Sequence, residues 1–138
     1  MVKRADPTPA QVDELLRYLP DVEASPNRVF PSLQGPTAQP NISVGFDYPV
    51  WVIRFFKVAA EPQWADYDYD PASTGLLIQD DAAVSSASMA EIRSMLTFCV
   101  RGERFCDGHW EAMIREGRIS ALLRRLLELR DSLPKDRV

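Results

Sequence analysis

The chain contains few of the residues from which most catalytic and metal centres are built. It has one histidine and two cysteines, and no C-x-x-C pair occurs. A structural zinc site needs four ligands, and a disulfide-stabilised scaffold needs several cysteine pairs, so neither class is indicated. We therefore expect Cys99 and Cys106 to be free thiols, and we predict no bound metal and no cofactor.

Long apolar runs are also missing, and so is any excess of positive charge. No stretch approaches the length of a membrane span, and no apolar run follows the first charged residues as it would in a secretory signal. The formal net charge of -4 disfavours binding to a nucleic-acid backbone. We therefore expect a cytoplasmic protein that does not bind membranes, and the oligomeric state stays open.

Glycines are few and prolines are concentrated in one stretch. Gly102 and Gly108 are isolated, so the chain has no glycine-rich phosphate-binding loop. Five of the 11 prolines lie between Pro20 and Pro40, which predicts an irregular loop at about residues 20–46. With 46% hydrophobic residues, the chain has the composition of a soluble globular protein, and its 138 residues suit one domain.

Local signals predict helices in the rest of the chain. Thr8 to Gln11 and Ser88 to Glu91 have the pattern of a capping box, and apolar residues at helical spacing follow each one. The first of these helices is expected to stop at Pro20. Asp70-Pro71 predicts a further helical turn, and a last amphipathic helix is expected from about Arg118 to Asp131.

Residues 48–60 are apolar on most faces and suit either a buried helix or a buried strand, although their length favours a helix. Together these patterns predict a mostly α fold. We expect residues 1–138 to form a small single-domain bundle of four to six helices. A long proline-rich loop at about 20–46 and an acidic aromatic connection at 61–81 complete the prediction.

The segment Arg101-Gly102-Glu103-Arg104-Phe105-Cys106-Asp107-Gly108-His109-Trp110 contains the highest density of reactive side chains. It matches no catalytic or ligand-binding signature. We interpret Asp107 as the N-cap of a helix that carries Trp110.

This segment, with Met95 to Val100 before it and Leu122 to Leu126 after it, resembles an uncharacterised bacterial family, domain of unknown function 6508. The resemblance extends upstream to Trp64, Asp66 and Tyr69. It implies a bacterial or phage source and a small intracellular domain. The family brings no activity, substrate or catalytic residue to transfer.

Two reactive arrangements around Cys106 are weaker than the inert alternative. Cys99, Cys106 and His109 lack a fourth zinc ligand. Cys106 could instead act as a nucleophile with His109 as its base, but the one carboxylate evident to orient that base is Asp107, which the start of the helix needs as its cap. Buried thiols and a structural histidine explain the same residues.

The run Asp66-Tyr67-Asp68-Tyr69-Asp70 is similar to the start of a calcium-binding loop. Pro71 then stands where the loop requires glycine and Leu77 where it requires glutamate, so an EF-hand is excluded. The interleaved aromatic rings could hold a cation, and an arginine of the chain itself is the favoured partner.

Arg101 and Arg104 allow two interpretations. The favoured one is a network with the carboxylates of residues 66–70 that fastens this loop to the bundle. The other is an anion site that uses the amides of the helix near Asp107 and stacks a base on Trp110 or Trp64. The candidate ligand-binding residues are Arg101, Glu103, Arg104, His109, Trp110, Trp64, Asp66 and Tyr69.

The function that we predict is that of a nonenzymatic intracellular binding or regulatory protein. Its ligand would be a small anionic or nucleotide-like molecule, held between the 64–70 loop and the 101–110 segment, or a partner protein. The alternative is a hydrolase or transferase acting on a phosphorylated or nucleotide-like substrate, with His109 or a carboxylate of 66–70 as base. No catalytic residue is assigned.

Overall fold

The computed structural model describes residues 7–24, 48–104 and 108–131. In these ranges the chain forms eight α-helices and no β-strand, which confirms the mostly α fold class. The helices are α1 (Pro9–Leu16), α2 (Leu19–Ala24), α3 (Val50–Ala59), α4 (Pro71–Ile78), α5 (Asp81–Ser85), α6 (Met89–Gly102), α7 (His109–Arg115) and α8 (Arg118–Arg130). The number exceeds the expected four to six because α2 and α5 are short extra helices of 6 and 5 residues.

The helix starts follow the local signals. Thr8 Oγ1 accepts a hydrogen bond from the Gln11 amide at 3.2 Å, and Gln11 Oε1 accepts one from the Thr8 amide at 2.9 Å. Ser88 and Glu91 make the same reciprocal pair at the start of α6. Each capping box thus satisfies amides that have no partner inside the helix.

The proline-rich loop begins later than predicted. α1 ends at Leu16 and α2 begins at Leu19, so Pro20 lies at the second position of a helix. This place suits proline because first-turn amides have no intrahelical partner and none is lost. Residues 20–24 are therefore helical, and the remainder of the predicted loop, 25–46, lies outside the described residues.

Residues 50–59 form a helix, not a strand. Val52, Phe55, Phe56 and Ala59 recur at helical spacing and are buried. The opposite face of α3 carries apolar side chains that are not buried, and Ile53 is 51% exposed. α3 thus presents an apolar surface to solvent as well as to the core.

α6 and α8 lie at the centre of the bundle. α6 packs against α3, α4, α7 and α8, and α8 packs against α1, α2, α5, α6 and α7. The buried apolar side chains form one cluster, whose largest members include Leu15, Phe55, Phe56, Trp64, Ile92, Met95, Leu96, Ile114, Ile119, Leu122 and Leu123. Removing this surface from water is the main driving force for the fold. Within the described ranges, no helix combines the length and the apolar character needed to cross a membrane.

The acidic aromatic connection is held along α6 by polar side chains of that helix. Arg93 Nε donates to the Gln63 carbonyl at 2.9 Å, and Thr97 Oγ1 accepts from the Asp66 amide at 2.8 Å. Ser94 Oγ donates to the Asp66 carboxylate at 2.6 Å. Arg93 and Thr97 are both buried, so these bonds fix residues 63–66 against the bundle.

Candidate functional site

Residues 101–104 and 108–110 lie at the corner between α6 and α7. Residues 105–107, which include Cys106 and Asp107, lie outside the described residues. The N-cap of α7 is Gly108 rather than the predicted Asp107, and its φ of 87° is in the left-handed region that favours glycine. Gly108 has no side chain with which to cap the helix.

Glu103 caps α7 instead. Its carboxylate accepts hydrogen bonds from the amides of Gly108 at 3.0 Å and Trp110 at 2.8 Å. It also accepts one from the Tyr48 hydroxyl at 3.0 Å, and that hydroxyl accepts from the Glu111 amide at 3.2 Å. The amides of Gly108, Trp110 and Glu111 are therefore occupied by groups of the chain itself, which argues against the anion binding that the sequence suggested for this helix start.

Two side chains of α7 bond back to α6. Trp110 Nε1 donates at 3.1 Å to the carbonyl of Val100, which lies in the last turn of α6. A ring N–H of His109 donates to the Phe98 carbonyl. The imidazole lies across Gly102, where any Cβ atom would overlap the ring. This packing explains why a glycine, a histidine and a tryptophan occur close together in this short segment.

His109 is a structural group in this corner. Burial lowers the pKa of His109, and the charge of Glu103 offsets only part of this effect. Its Nε2 atom is buried, with no hydrogen-bond partner in the part of the chain that the structure describes. The ring is therefore neutral at pH 7. A general base also needs a nitrogen that reaches the substrate, and the buried Nε2 of His109 does not meet this requirement.

Cys99 is fully buried in the core, and burial raises the pKa of its thiol. A protonated thiol without solvent access is unreactive. The zinc hypothesis requires Cys106 in addition to Cys99, and the nucleophile hypothesis requires Cys106 itself. Cys106 lies outside the described residues. Among the residues that are described, no three His, Cys, Asp or Glu side chains are grouped so as to hold a metal ion.

Among the described residues, Arg101 contacts aromatic rings rather than carboxylates. Its guanidinium lies 5.6 Å from the ring centroids of both Tyr67 and Tyr69, which is within the range of a cation–π interaction. Within the described ranges, no ion pair joins Arg101 or Arg104 to a carboxylate of residues 66–70. The expected charge network is therefore not formed between these residues, and the loop is held by Arg93, Ser94 and Thr97 instead.

The eight candidate residues are not brought together in one site. Trp64 is completely buried and cannot stack on a ligand. Asp66 and Tyr69 line an acidic cavity of about 350 Å³. His109 packs within the corner. Glu103, Arg104 and Trp110 line a different cavity.

We name this second cavity the α3–α7 groove, and its volume is about 550 Å³. Its lining residues are Ile53, Phe56, Lys57, Ala60, Val100, Glu103, Arg104 and Trp110. A smaller cavity of about 180 Å³, the arginine cavity, shares Ala60, Val100 and Arg104 with the groove and adds Arg101. The two cavities together combine apolar walls with a cationic end.

The part of this site that belongs to α3 was not predicted from the sequence. Ile53 and Lys57 lie one helical turn apart on the exposed side of α3 and both line the groove. A signal was present, because residues 50–59 contain more apolar side chains than one buried face requires. The sequence does not show that this face lies beside the corner.

Comparison with known proteins identifies a family and no activity. The family model described as a family of unknown function (DUF6508) matches residues 7–132. This match covers most of the chain and confirms the family resemblance drawn from the sequence. No curated protein matches the chain, and no solved structure matches it either.

Proposed function

Because the chain belongs to DUF6508, a family of unknown function, we propose its function from the site itself: a nonenzymatic binding or regulatory protein for a small anionic ligand. The charged group of the ligand binds at Arg101 and Arg104, and its body lies in the α3–α7 groove. A bacterial or phage source and a cytoplasmic location are part of the same proposal.

The observation that carries the proposal is the state of the two arginines. Neither Arg101 nor Arg104 pairs with a carboxylate within residues 7–24, 48–104 and 108–131, although both line cavities. The arginines of α7 and α8 do have such partners; they are Arg115, Arg118, Arg124, Arg125 and Arg130. Guanidinium groups beside an apolar cavity are well suited to a carboxylate or a phosphate.

Two candidate bases of the enzymatic alternative, His109 and Asp66, are engaged by other groups of the chain. A hydrolase or transferase needs a base that faces the bound substrate. His109 is held in the corner by Phe98 and Gly102, and the Asp66 carboxylate is bonded by Ser94. Cys99 is buried. These assignments favour binding over catalysis.

Thermal unfolding tests the proposal. A ligand that binds only the folded state raises the Tm in proportion to RT ln(1 + [L]/Kd). We expect a saturable rise with at least one anion from a panel of inorganic phosphate, alkyl carboxylates and nucleotides. The rise should be lost in the Arg101→Ala, Arg104→Ala double variant.

Arg54→Ala is the matched control, since Arg54 is exposed on α3 and lines neither the groove nor the arginine cavity. It should leave the ligand response unchanged. A flat response of the native chain to the whole panel would contradict a small-anion site and would favour a partner protein.

A further inference from the structure

We infer that the ligand has an aliphatic body, an alkyl or acyl chain that ends in one anionic group, and that it is not a nucleotide. This inference rests on the proposed function and names the ligand class of the same groove. It depends on which faces of the aromatic rings are free, on which polar groups are free, and on what the walls are made of.

The two aromatic rings that line the groove, Phe56 and Trp110, are engaged with each other rather than spaced to hold a nucleobase between them. Phe56 and Trp110 stack on each other with ring centroids 4.4 Å apart and an interplanar angle of 6°. Phe56 is only 2% exposed, and Tyr48 lies 5.4 Å from the Trp110 ring. Stacking of a base needs an exposed ring face, and Trp64 is completely buried.

The groove offers few acceptors for the N–H groups of a base. Lys57 and Arg104 are both donors, and the Glu103 carboxylate already accepts three hydrogen bonds. A nucleobase buried here would leave N–H groups of its own unpaired, which weakens binding. An alkyl chain has no such groups to satisfy.

The walls suit an alkyl chain. Ile53, Ala60 and Val100 line the groove with aliphatic carbon, and the exposed Val50 lies one turn before Ile53 on α3. The stem of Lys57 adds further methylene groups. An aliphatic ligand would therefore cover apolar surface that the chain leaves in contact with water.

The charges select the end group. Lys57 and Arg104 line the groove with Glu103, which leaves one net positive charge, and Arg101 lies in the adjoining arginine cavity. This balance attracts an anion. A free small molecule is favoured over an anionic bilayer, because the chain has a formal net charge of -4.

Isothermal titration of the full chain with hexanoate, octanoate and decanoate, each below its micelle concentration, tests the inference. Each added methylene should tighten Kd by up to about fourfold until the groove is filled, as expected from the transfer free energy of a methylene group. AMP serves as the nucleotide probe and decanol as the neutral one. Both should bind at least about tenfold more weakly than decanoate.

A pair of variants locates the chain in the groove. Ile53→Asp places a carboxylate on an exposed wall of the groove and should abolish the dependence of Kd on chain length. Leu76→Asp is the control, because Leu76 is 74% exposed on α4 and does not line the groove. Thermal unfolding of both variants shows whether the fold is retained.

The possible failures are distinguishable. Tighter binding of AMP than of decanoate would overturn the aliphatic ligand and leave the proposed anion site standing. Equal binding of decanol and decanoate, unchanged chain-length dependence in Ile53→Asp, or binding only to phosphatidylglycerol vesicles would also overturn the inference. If neither these anions nor inorganic phosphate binds, the proposed function fails as well.

Discussion

Gly102 is the residue at which a single added carbon has the clearest consequence. A Cβ atom there would overlap the imidazole of His109, which is held by its bond to the Phe98 carbonyl. Helix propensity favours alanine over glycine by about 1 kcal/mol, but overpacking costs about 1–3 kcal/mol. We expect Gly102→Ala to lower the free energy of unfolding by up to about 2 kcal/mol, as measured by urea denaturation.

Gly75→Ala is the control for this prediction. A Cβ atom at Gly75 would lie 3.3 Å from the Phe98 ring, a tight contact that a small side-chain shift relieves. We expect an effect within about 1 kcal/mol of zero. The double variant Gly102→Ala, His109→Ala should recover part of the loss, and strict additivity would contradict the overlap.

Glu103→Gln tests the cap of α7. Glutamine has one acceptor oxygen where Glu103 uses both, so its amide N–H groups would face either the Gly108 amide or the Trp110 amide and the Tyr48 hydroxyl. A buried donor without an acceptor costs about 1–3 kcal/mol, and we expect a loss of stability of this size. Glu14→Gln, on the exposed side of α1, should change stability by less than about 0.5 kcal/mol.

The free energy of unfolding should depend more on the buried Arg93 than on the exposed Arg104. The sequence prediction instead assigned the structural role to Arg101 and Arg104. Arg93→Met keeps most of the stem but leaves the Gln63 carbonyl without its donor. We expect this variant to lose about 1–3 kcal/mol and Arg104→Met to lose less than about 0.5 kcal/mol in chemical denaturation. Equal losses would show that Arg104 has a structural role too.

At the scale of helices, the local signals were reliable where they were complete. The capping boxes at Thr8 and Ser88 and the Asp70-Pro71 start are all present in the structure. The short helices α2 and α5 were not predicted, because helices of this length are stabilised by packing rather than by their own sequence. The cap of α7 was assigned to the wrong residue because its acceptor, Glu103, comes from the end of another helix.

The junction of α6 and α7 should be sensitive to pH through His109. Burial lowers its pKa in the folded state below the ordinary value of about 6.5 that applies to the unfolded chain. Between these two values the unfolded state binds more protons, so stability rises with pH. This contribution is complete above about pH 7 and is lost as the pH falls from about 6.5 through the lower pKa of the folded state.

Stability measured between about pH 7.5 and 5.5 checks this prediction, since most carboxylates titrate below that window. The native chain should lose more stability on acidification than His109→Phe, which cannot take up a proton. Parallel profiles for the two proteins would show that the histidine is as accessible to protons in the folded state as in the unfolded chain.

At the scale of the whole molecule, the fold class could be predicted and the groove could not. Helical periodicity and composition determine a mostly helical bundle with a single core cluster. The groove is made by Ile53 on α3 together with Val100 on α6 and Trp110 on α7, and Ile53 is far from the other two in the sequence. Only the packing angle between these helices brings them together, and no local pattern encodes it.

The position of Glu103 has a consequence for the electrostatics of the two helices that it joins. It lies at the negative end of the α6 dipole and at the positive end of the α7 dipole. Its charge therefore opposes α6 while it stabilises α7. In a peptide of residues 88–104, which contains α6 alone, Glu103→Gln should increase helicity measured by circular dichroism. In the full chain the same substitution should destabilise the fold, so α6 keeps an unfavourable charge that only the presence of α7 makes useful.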